Sequence, residues 1–542
     1  MIDAIRSDYS LKGNRSLSAD PLKVPFDIAA THNLAQWRTS LAWPLELSLL
    51  QNALIASERS FLKFIGSLPD GRSKRAAILA AGRCVSSVSA LIEAALLVQS
   101  EQGAHIQIFG GPPELDWLRG REGKPPSTPQ RVGQPGNQKR GLFIRRAART
   151  KSWTGWRRLP ATLLRPEVIA VSHNSILREM AAISGRRVMF QHADHLLNRL
   201  VQSYDGPRQE LPVLVDGVAN ALTESEYLSN EIRERLRPLI EPKLHQYLSV
   251  AWNDLQALEA AKELPHEIWS GSAGNYAARA LGIEVMRRGG AAVRFDHGGS
   301  TGMSDVGDPL VLRETMASSR FVATSADVAA LCTEILSRDP IPGLPQAAIA
   351  NANGDPHMRC ALTLQKKKAK SRANVIYATG ALYGFRQLVP PVLKDPIYLD
   401  WQMRVAEYLV KQPINLLLKP HPEGIFRGQP HPISAIGPTT REPFEKVMDE
   451  ADLFIFDFAA STAFWTALCS DRPVVYLDLG LMKFHPRVRA LLERRVKIVT
   501  VHENDKNLPD IDWPTFGEAI SDALRTYPDP RPFRALISGS GA

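Results

Sequence analysis

The segment LLLKPHPEG (416–424) places Lys419, His421 and Glu423 directly after an apolar run. Pro420 and Pro422 keep the backbone extended there and leave fewer free N–H groups. A lysine and a histidine held together past the end of a buried strand suit a phosphate, because the imidazole can donate to the bridging oxygen of a departing nucleotide. An ordinary strand-to-loop turn with a surface histidine is the simpler account of the tripeptide alone. A second segment, FIFDFAASTAFWTALCS (454–470), passes through Asp457 to Ser461 and Thr462 at a helix start. Hydroxyl caps and free N–H groups at such a start can receive an anion, although a capped helix needs no ligand. Taken together, the two segments describe a pocket for a nucleotide mono- or diphosphate.

A third segment, VRFDHGGSTGMSD (293–305), ends a strand with Asp296 and His297 and continues through Gly298, Gly299 and Gly302. Glycines let a backbone approach a ligand closely, and an Asp–His pair at a strand end can serve as a general base. A glycine turn with a satisfied histidine is the alternative. GSAGN (271–275), with Ser272, is a weaker candidate anion loop. His192 and His195 lie three apart, but no third ligand at suitable spacing accompanies them, so no metal site is expected.

These residues need strand ends to hold them. From Arg75 onward, short apolar runs alternate with helical stretches. Strands are expected at 76–81, 105–111, 167–172, 187–192, 267–272, 291–299 and 321–325, with helices at 84–100, 174–184, 275–289 and 326–337. After a linker at 350–373, a second alternating unit begins with NVIYATG (374–380). Such alternation predicts parallel, doubly wound sheets with helices on both faces. The expected organisation is a helical N-terminal extension (1–74), a first α/β domain (75–349), the linker, and a second α/β domain (374–542). Ligands in such sheets bind beyond the carboxyl ends of the strands, here in a cleft between domains.

The 542 residues carry 66 Lys and Arg against 56 Asp and Glu, a net charge of +10. The excess is local: residues 119–158 hold twelve Lys or Arg against one acid, Glu122. Phe143, Ile144, Trp153 and Trp156 interleave with that charge, a combination suited to an anionic membrane surface if it is more than a solvated insertion. No recognised nucleic-acid-binding motif accompanies it, so a nucleic-acid partner is not expected. No uncharged apolar stretch reaches the roughly 18–20 residues of a membrane span. The first fifteen residues mix both charge signs without an apolar region, and the four cysteines are scattered. A cytoplasmic protein is therefore expected, with possible peripheral contact at the inner membrane.

Four features recur in an order that resembles the GT-B-fold transferases of bacterial surface polysaccharides. They are His297-Gly298, Lys419-Pro420-His421-Pro422, Asp457 with Ser461 and Thr462, and Pro473-Val474-Val475-Tyr476. That group includes CDP-glycerol glycerophosphotransferases, capsular Kdo transferases and HP-motif sialyltransferases. Residues 375–402 also resemble the opening of that group's nucleotide-binding domain, which puts Thr379 among the expected nucleotide contacts. The resemblance implies two Rossmann-like domains facing a cleft, and transfer of a sugar from a CMP-, CDP- or UDP-linked donor to a glycan or lipid-linked acceptor. It also implies catalysis without cofactor or metal. His421 would meet the donor phosphate with Lys419 and Glu423 beside it, Ser461 and Thr462 would cradle it, and Asp296 or His297 would act as base. The acidic base motif of the sialyltransferases is absent. A CDP-polyol phosphotransferase, a nucleotide-sugar 2-epimerase and a catalytically silent assembly module on the same fold are the rival readings.

Overall fold

The computed structural model describes residues 22–32, 34, 36–121, 125–126, 156, 159–160, 162–172, 174–201, 208–271, 275–364, 372–526 and 528–539. Ser272 and nearly all of the basic stretch 119–158 lie outside the described residues.

The fold is α/β, with a six-stranded and a five-stranded parallel sheet, two two-stranded pairings and many helices. A short strand β1 (Leu22–Pro25) pairs in parallel with β2 (Ile106–Phe109). The larger sheet contains β3 (Val168–Ala170), β4 (Val188–Phe190), β5 (Glu267–Gly271), β6 (Ala291–Phe295), β7 (Arg320–Ala323) and β8 (Ala348–Asn351). Its spatial order is β4-β3-β5-β6-β7-β8. The second sheet contains β9 (Asn374–Ala378), β10 (Asn415–Lys419), β11 (Leu453–Phe456), β12 (Val474–Asp478) and β13 (Lys497–Thr500), ordered β10-β9-β11-β12-β13. In both sheets the first strand in sequence has its successor on one side and the third strand on the other. Loops leaving the first and third strands diverge at that point, and the crevice between them is where ligands settle in doubly wound sheets.

Burial on both faces explains why these strands read as continuous apolar runs. In β11, Leu453 and Ile455 enter one core with the helices Asp395–Val410 and Trp513–Arg525, while Phe454 and Phe456 enter another with Thr462–Leu468 and Pro486–Arg495. Each such side chain, fully buried, contributes about 1.5–3 kcal/mol.

Residues 76–81, expected as a strand, are helical. They belong to one helix, Arg72–Ala104, which also contains the helix expected at 84–100. A short apolar run bounded by small residues cannot be distinguished by pattern from a buried helix, and nothing between Arg72 and Ala104 breaks this one. Its apolar character on nearly every side reflects packing among Leu47–Ser67, Leu211–Thr223 and Asn230–Ala260 over one face of the larger sheet. By length and composition this helix could cross a membrane: its most apolar window has a mean hydropathy of 1.5, and 78% of that window is buried inside the fold. Glu93 and Lys394, paired at 2.9 Å and both nearly inaccessible, join the helix to the loop that follows β9.

The two halves also share an apolar core. Met303, Phe321 and Cys332 from the first pack with Phe464, Trp465 and Phe484 from the second. Residues expected as a linker take part. Pro356–Thr363 forms a 3-10 helix that buries Met358 and Ala361 in this shared core, while residues 365–371 lie outside the described set.

Candidate functional site

Three adjacent strands bring the second-half candidates together. Lys419 ends β10 and Phe456 ends β11, and both align with Ala378 at the end of β9 between them. Thr379, next along β9, donates its N–H to the Lys419 carbonyl at 3.2 Å. The Lys419 side chain is 6% exposed and its ammonium has no hydrogen-bond or ion-pair partner among the described residues. Burial lowers its pKa from the usual lysine value, and Glu445 and Glu442 oppose that at longer range. The Thr379 hydroxyl is likewise buried with no hydrogen-bond partner.

His421 is half-buried, and its Nδ1 accepts the Glu423 N–H at 3.2 Å. Burial, reinforced by the Lys419 charge, pushes its pKa below the ordinary histidine value. A neutral imidazole with Nδ1 accepting must carry its proton on Nε2, so the ring presents a donor away from its own loop. The Glu423 carboxylate turns elsewhere, pairing with Arg427 at 3.0 Å in the exposed part of the loop. Only its backbone contributes to the site.

Asp457 sits at the crevice between β9 and β11, but its carboxylate is occupied. It accepts from the Tyr377 hydroxyl at 2.6 Å, from the Tyr398 hydroxyl at 2.9 Å and from the Gly380 N–H at 3.3 Å. Burial pushes its pKa up to about 6. The Tyr398 oxygen in turn accepts the Gly380 N–H at 2.8 Å, so the network fixes the chain after Thr379. Asp457 thus holds Tyr377, Tyr398 and Gly380 together at the crevice. Ser461 caps the helix Thr462–Leu468, its hydroxyl accepting the Ala463 N–H at 3.3 Å. That helix has seven residues, so its dipole adds little.

At the end of β6, Asp296 is as buried as Asp457. One oxygen accepts the His297 N–H at 2.7 Å and the other the Thr324 hydroxyl at 2.9 Å. Burial pushes this carboxyl also to about 6. His297 is exposed at this strand end. Asn174, just past β3, reaches across the end of β5 to β6, donating to the carbonyls of Phe295 at 3.0 Å and Asp296 at 2.8 Å.

The two strand ends meet. Gly298 and Gly299 have φ of +76° and +75°, a region that strains any side chain. A β-carbon on Gly298 would lie 3.0 Å from the Thr462 hydroxyl, and one on Gly299 would lie 3.0 Å from Trp465 Cβ. Asp305 N–H donates to the Lys483 carbonyl, and His485 N–H to the Met303 carbonyl, both at 2.8 Å. The carboxyl ends of β6, β11 and β12 therefore face each other across a packed seam, and the glycines are there for that close approach.

His192 precedes the helix Ala193–Leu200 and His195 lies in it, with His192 paired to Asp194 at 3.3 Å. No cluster of three metal-ligating residues occurs among the described residues. A cavity of about 1000 Å³ opens between residues 52–59, 305–308 and 337–349 and contains none of the candidates. Its Arg59 is already paired with Asp308 and Asp339. Tyr377, Tyr398, Thr324 and Asn174 were not singled out from sequence. Only Asn174, an Asn three residues before Leu177 in a capping arrangement, carried a readable signal.

No protein-family model matches the chain. No curated protein matches it either. Among solved structures, the crystal structure of accessory secretory protein 1, 2 and 3 in Streptococcus pneumoniae overlaps 52% of this chain at 10% identity and a TM-score of 0.26. The chain covers half of that one, and a likeness of this degree carries no argument about function.

Proposed function

We propose that the protein is a glycosyltransferase of the GT-B type, moving a sugar from a nucleotide-activated donor to a glycan or lipid-linked acceptor of a bacterial surface polysaccharide. The observation that carries this reading is Lys419, a residue 6% exposed whose ammonium has no partner among the described residues, two positions from His421, whose Nε2–H is fixed by the Glu423 N–H. A partly desolvated cation and a neutral donor two residues apart at a strand end are suited to the charge that develops on a departing phosphate. Two doubly wound sheets with facing carboxyl ends support the GT-B arrangement, with the donor at β9–β10 and the acceptor toward His297.

In this mechanism His297 takes the proton from the acceptor hydroxyl as that oxygen attacks the sugar. Asp296 acts through position, tying the start of the glycine turn to β7 through Thr324. Lys419 and His421 receive the leaving phosphate.

The test is nucleotide release from a panel of nucleotide sugars in the presence of glycan acceptors. The parent protein is expected to release nucleotide from one donor with stoichiometric glycan extension. His421→Ala is expected to lower turnover by about a hundredfold or more. Equal turnover in parent and variant contradicts the mechanism.

A further inference from the structure

Side chains alternate along a strand, so Lys419 shares its face of β10 with Leu417. Leu417 packs against the core common to both halves, which also holds Phe444 and Met358. Phe444 opens the short helix Phe444–Val447 and rests on Phe454 and Phe456 of β11, with ring centroids 5.1 and 5.8 Å away. Glu445 follows it, and His357 precedes Met358 in the segment that joins the halves. His357 Nε2 and Glu445 Oε1 lie 2.9 Å apart, so this pair links the joining segment to the second half.

The joining segment is fixed on both sides of the pair. Asp355, 1% exposed, accepts the His357 N–H at 2.9 Å and also the Ser175 hydroxyl. Arg359 pairs with Glu179 at 2.7 Å, and the Met358 sulfur accepts the Thr466 hydroxyl at 2.9 Å. The fold therefore holds His357 at Glu445 independently of their own attraction. Side-chain exposures of 44% and 28% keep the pair in contact with solvent, where an imidazole can gain and lose its proton.

Glu445 raises the His357 pKa above the ordinary histidine value; Asp355 adds to this, while burial and Arg178 on the helix Ser175–Ile183 oppose it. His357 in turn lowers the Glu445 pKa against the effect of burial, and Lys419 lowers it further. Lys419 feels both Glu445 and Glu442, and Glu442 is itself paired with Lys446 at 3.0 Å. A carboxylate acting on Lys419 works against a bound phosphate unless a second cation cancels it. Protonated His357, arriving from the joining segment, is that cation.

Resting on the phosphate pocket proposed above, we infer that His357 and Glu445 are positioning residues that act through Lys419 and set the charge the pocket presents to a phosphate. While His357 is protonated the pair is neutral and Lys419 counts as a full cation. Once His357 is neutral its hydrogen bond can persist, but the Glu445 charge is uncancelled and offsets Lys419. Because the His357 pKa is raised, anion affinity is highest at and below about pH 6.5 and falls as pH rises through that raised value. His421 titrates below the ordinary histidine value, so it is mostly neutral over the range in which this loss occurs.

Calorimetric titration with sulfate, a dianion at every pH used, tests this on the parent, His357→Gln and Glu445→Gln at about pH 6.5 and about pH 8.5. The parent is expected to bind sulfate about threefold to tenfold more weakly at the higher pH. His357→Gln should be weak at both, and Glu445→Gln should bind at the higher pH about as tightly as the parent does at the lower. A purely structural role for the pair predicts a loss in Glu445→Gln instead. Sulfate should also raise the midpoint of the His357 ring resonance in an NMR titration of the parent, because coupling between proton and anion is reciprocal. Equal parent affinity at the two pH values, the same weakening in His357→Gln, lost binding in Glu445→Gln or an unmoved midpoint overturns the inference and leaves the pocket standing. Absence of sulfate binding to the parent at the lower pH overturns the pocket itself, and this inference with it.

Discussion

Asp296 and Asp457 hold comparable places in the two halves. Each directly follows a buried strand, each is 1% exposed, and burial pushes each carboxyl from 3.8 to about 6. Around Asp296 the neighbouring groups are consumed by the fold: glycines press against Thr462 and Trp465, and Asn174 bridges two carbonyls. Around Asp457 the phenols of Tyr377 and Tyr398 do the holding, and Lys419 and Thr379 are left with side chains lacking partners. A buried aspartate at a strand end is thus scaffold in both places. The difference lies in the polar groups that the scaffold leaves unsatisfied, which the proposed reading assigns to the donor.

Four changes break or sharpen that contrast. The largest effect is expected from Lys394→Ala, which strips the cationic partner from buried Glu93 and leaves the Gln387 amide, at 3.0 Å, as its one remaining tie to the loop after β9. Breaking one side of a buried pair costs about 3–5 kcal/mol, to be read from denaturant unfolding. A loss below about 1 kcal/mol shows that the loop is held some other way.

Asp457→Asn removes a carboxyl that the native state protonates more readily than the unfolded chain. The parent's contribution from this group is complete below about pH 4 and is lost as pH rises through about 6. Relative to the variant, the parent should therefore lose roughly 3 kcal/mol between pH 4 and pH 7. A pH-independent difference means that Asp457 is not desolvated as described.

Gly299→Ala adds a β-carbon 3.0 Å from Trp465 Cβ at a positive φ. Destabilisation of about 2 kcal/mol is expected, visible as a lowered melting temperature. An unchanged melting temperature argues against a tight seam between the halves. Thr379→Val carries the smallest stability effect and the opposite sign, a gain of about 1 kcal/mol, because a buried hydroxyl without a partner is removed. Destabilisation instead reveals an internal role for that hydroxyl.

Much of this was legible in the residue pattern. The apolar runs at NVIYA, NLLLK and LFIF announced β9, β10 and β11, and the polar residues just beyond them mark the carboxyl ends where ligands settle. Residues 76–81 misled because an all-apolar run of small residues has no period, and the tertiary packing that makes it helical is non-local. The roles of Asp296 and Asp457 were hidden for the same reason. Thr324 lies 28 positions from Asp296 and Tyr377 lies 80 from Asp457, so the hydrogen bonds that occupy these carboxylates arise only when strands align. The glycine turn was visible, but its partner across the seam was not.

The most direct test is a thermal-shift panel of CMP, CDP, UDP, GDP and dTDP on the parent protein and on His421→Ala. A ligand at about a hundred times its dissociation constant adds roughly 2.7 kcal/mol, enough to raise the melting temperature measurably. One nucleotide that stabilises the parent and leaves His421→Ala unmoved is the predicted result. No shift with any nucleotide, or equal shifts in both proteins, contradicts a phosphate pocket at Lys419 and His421.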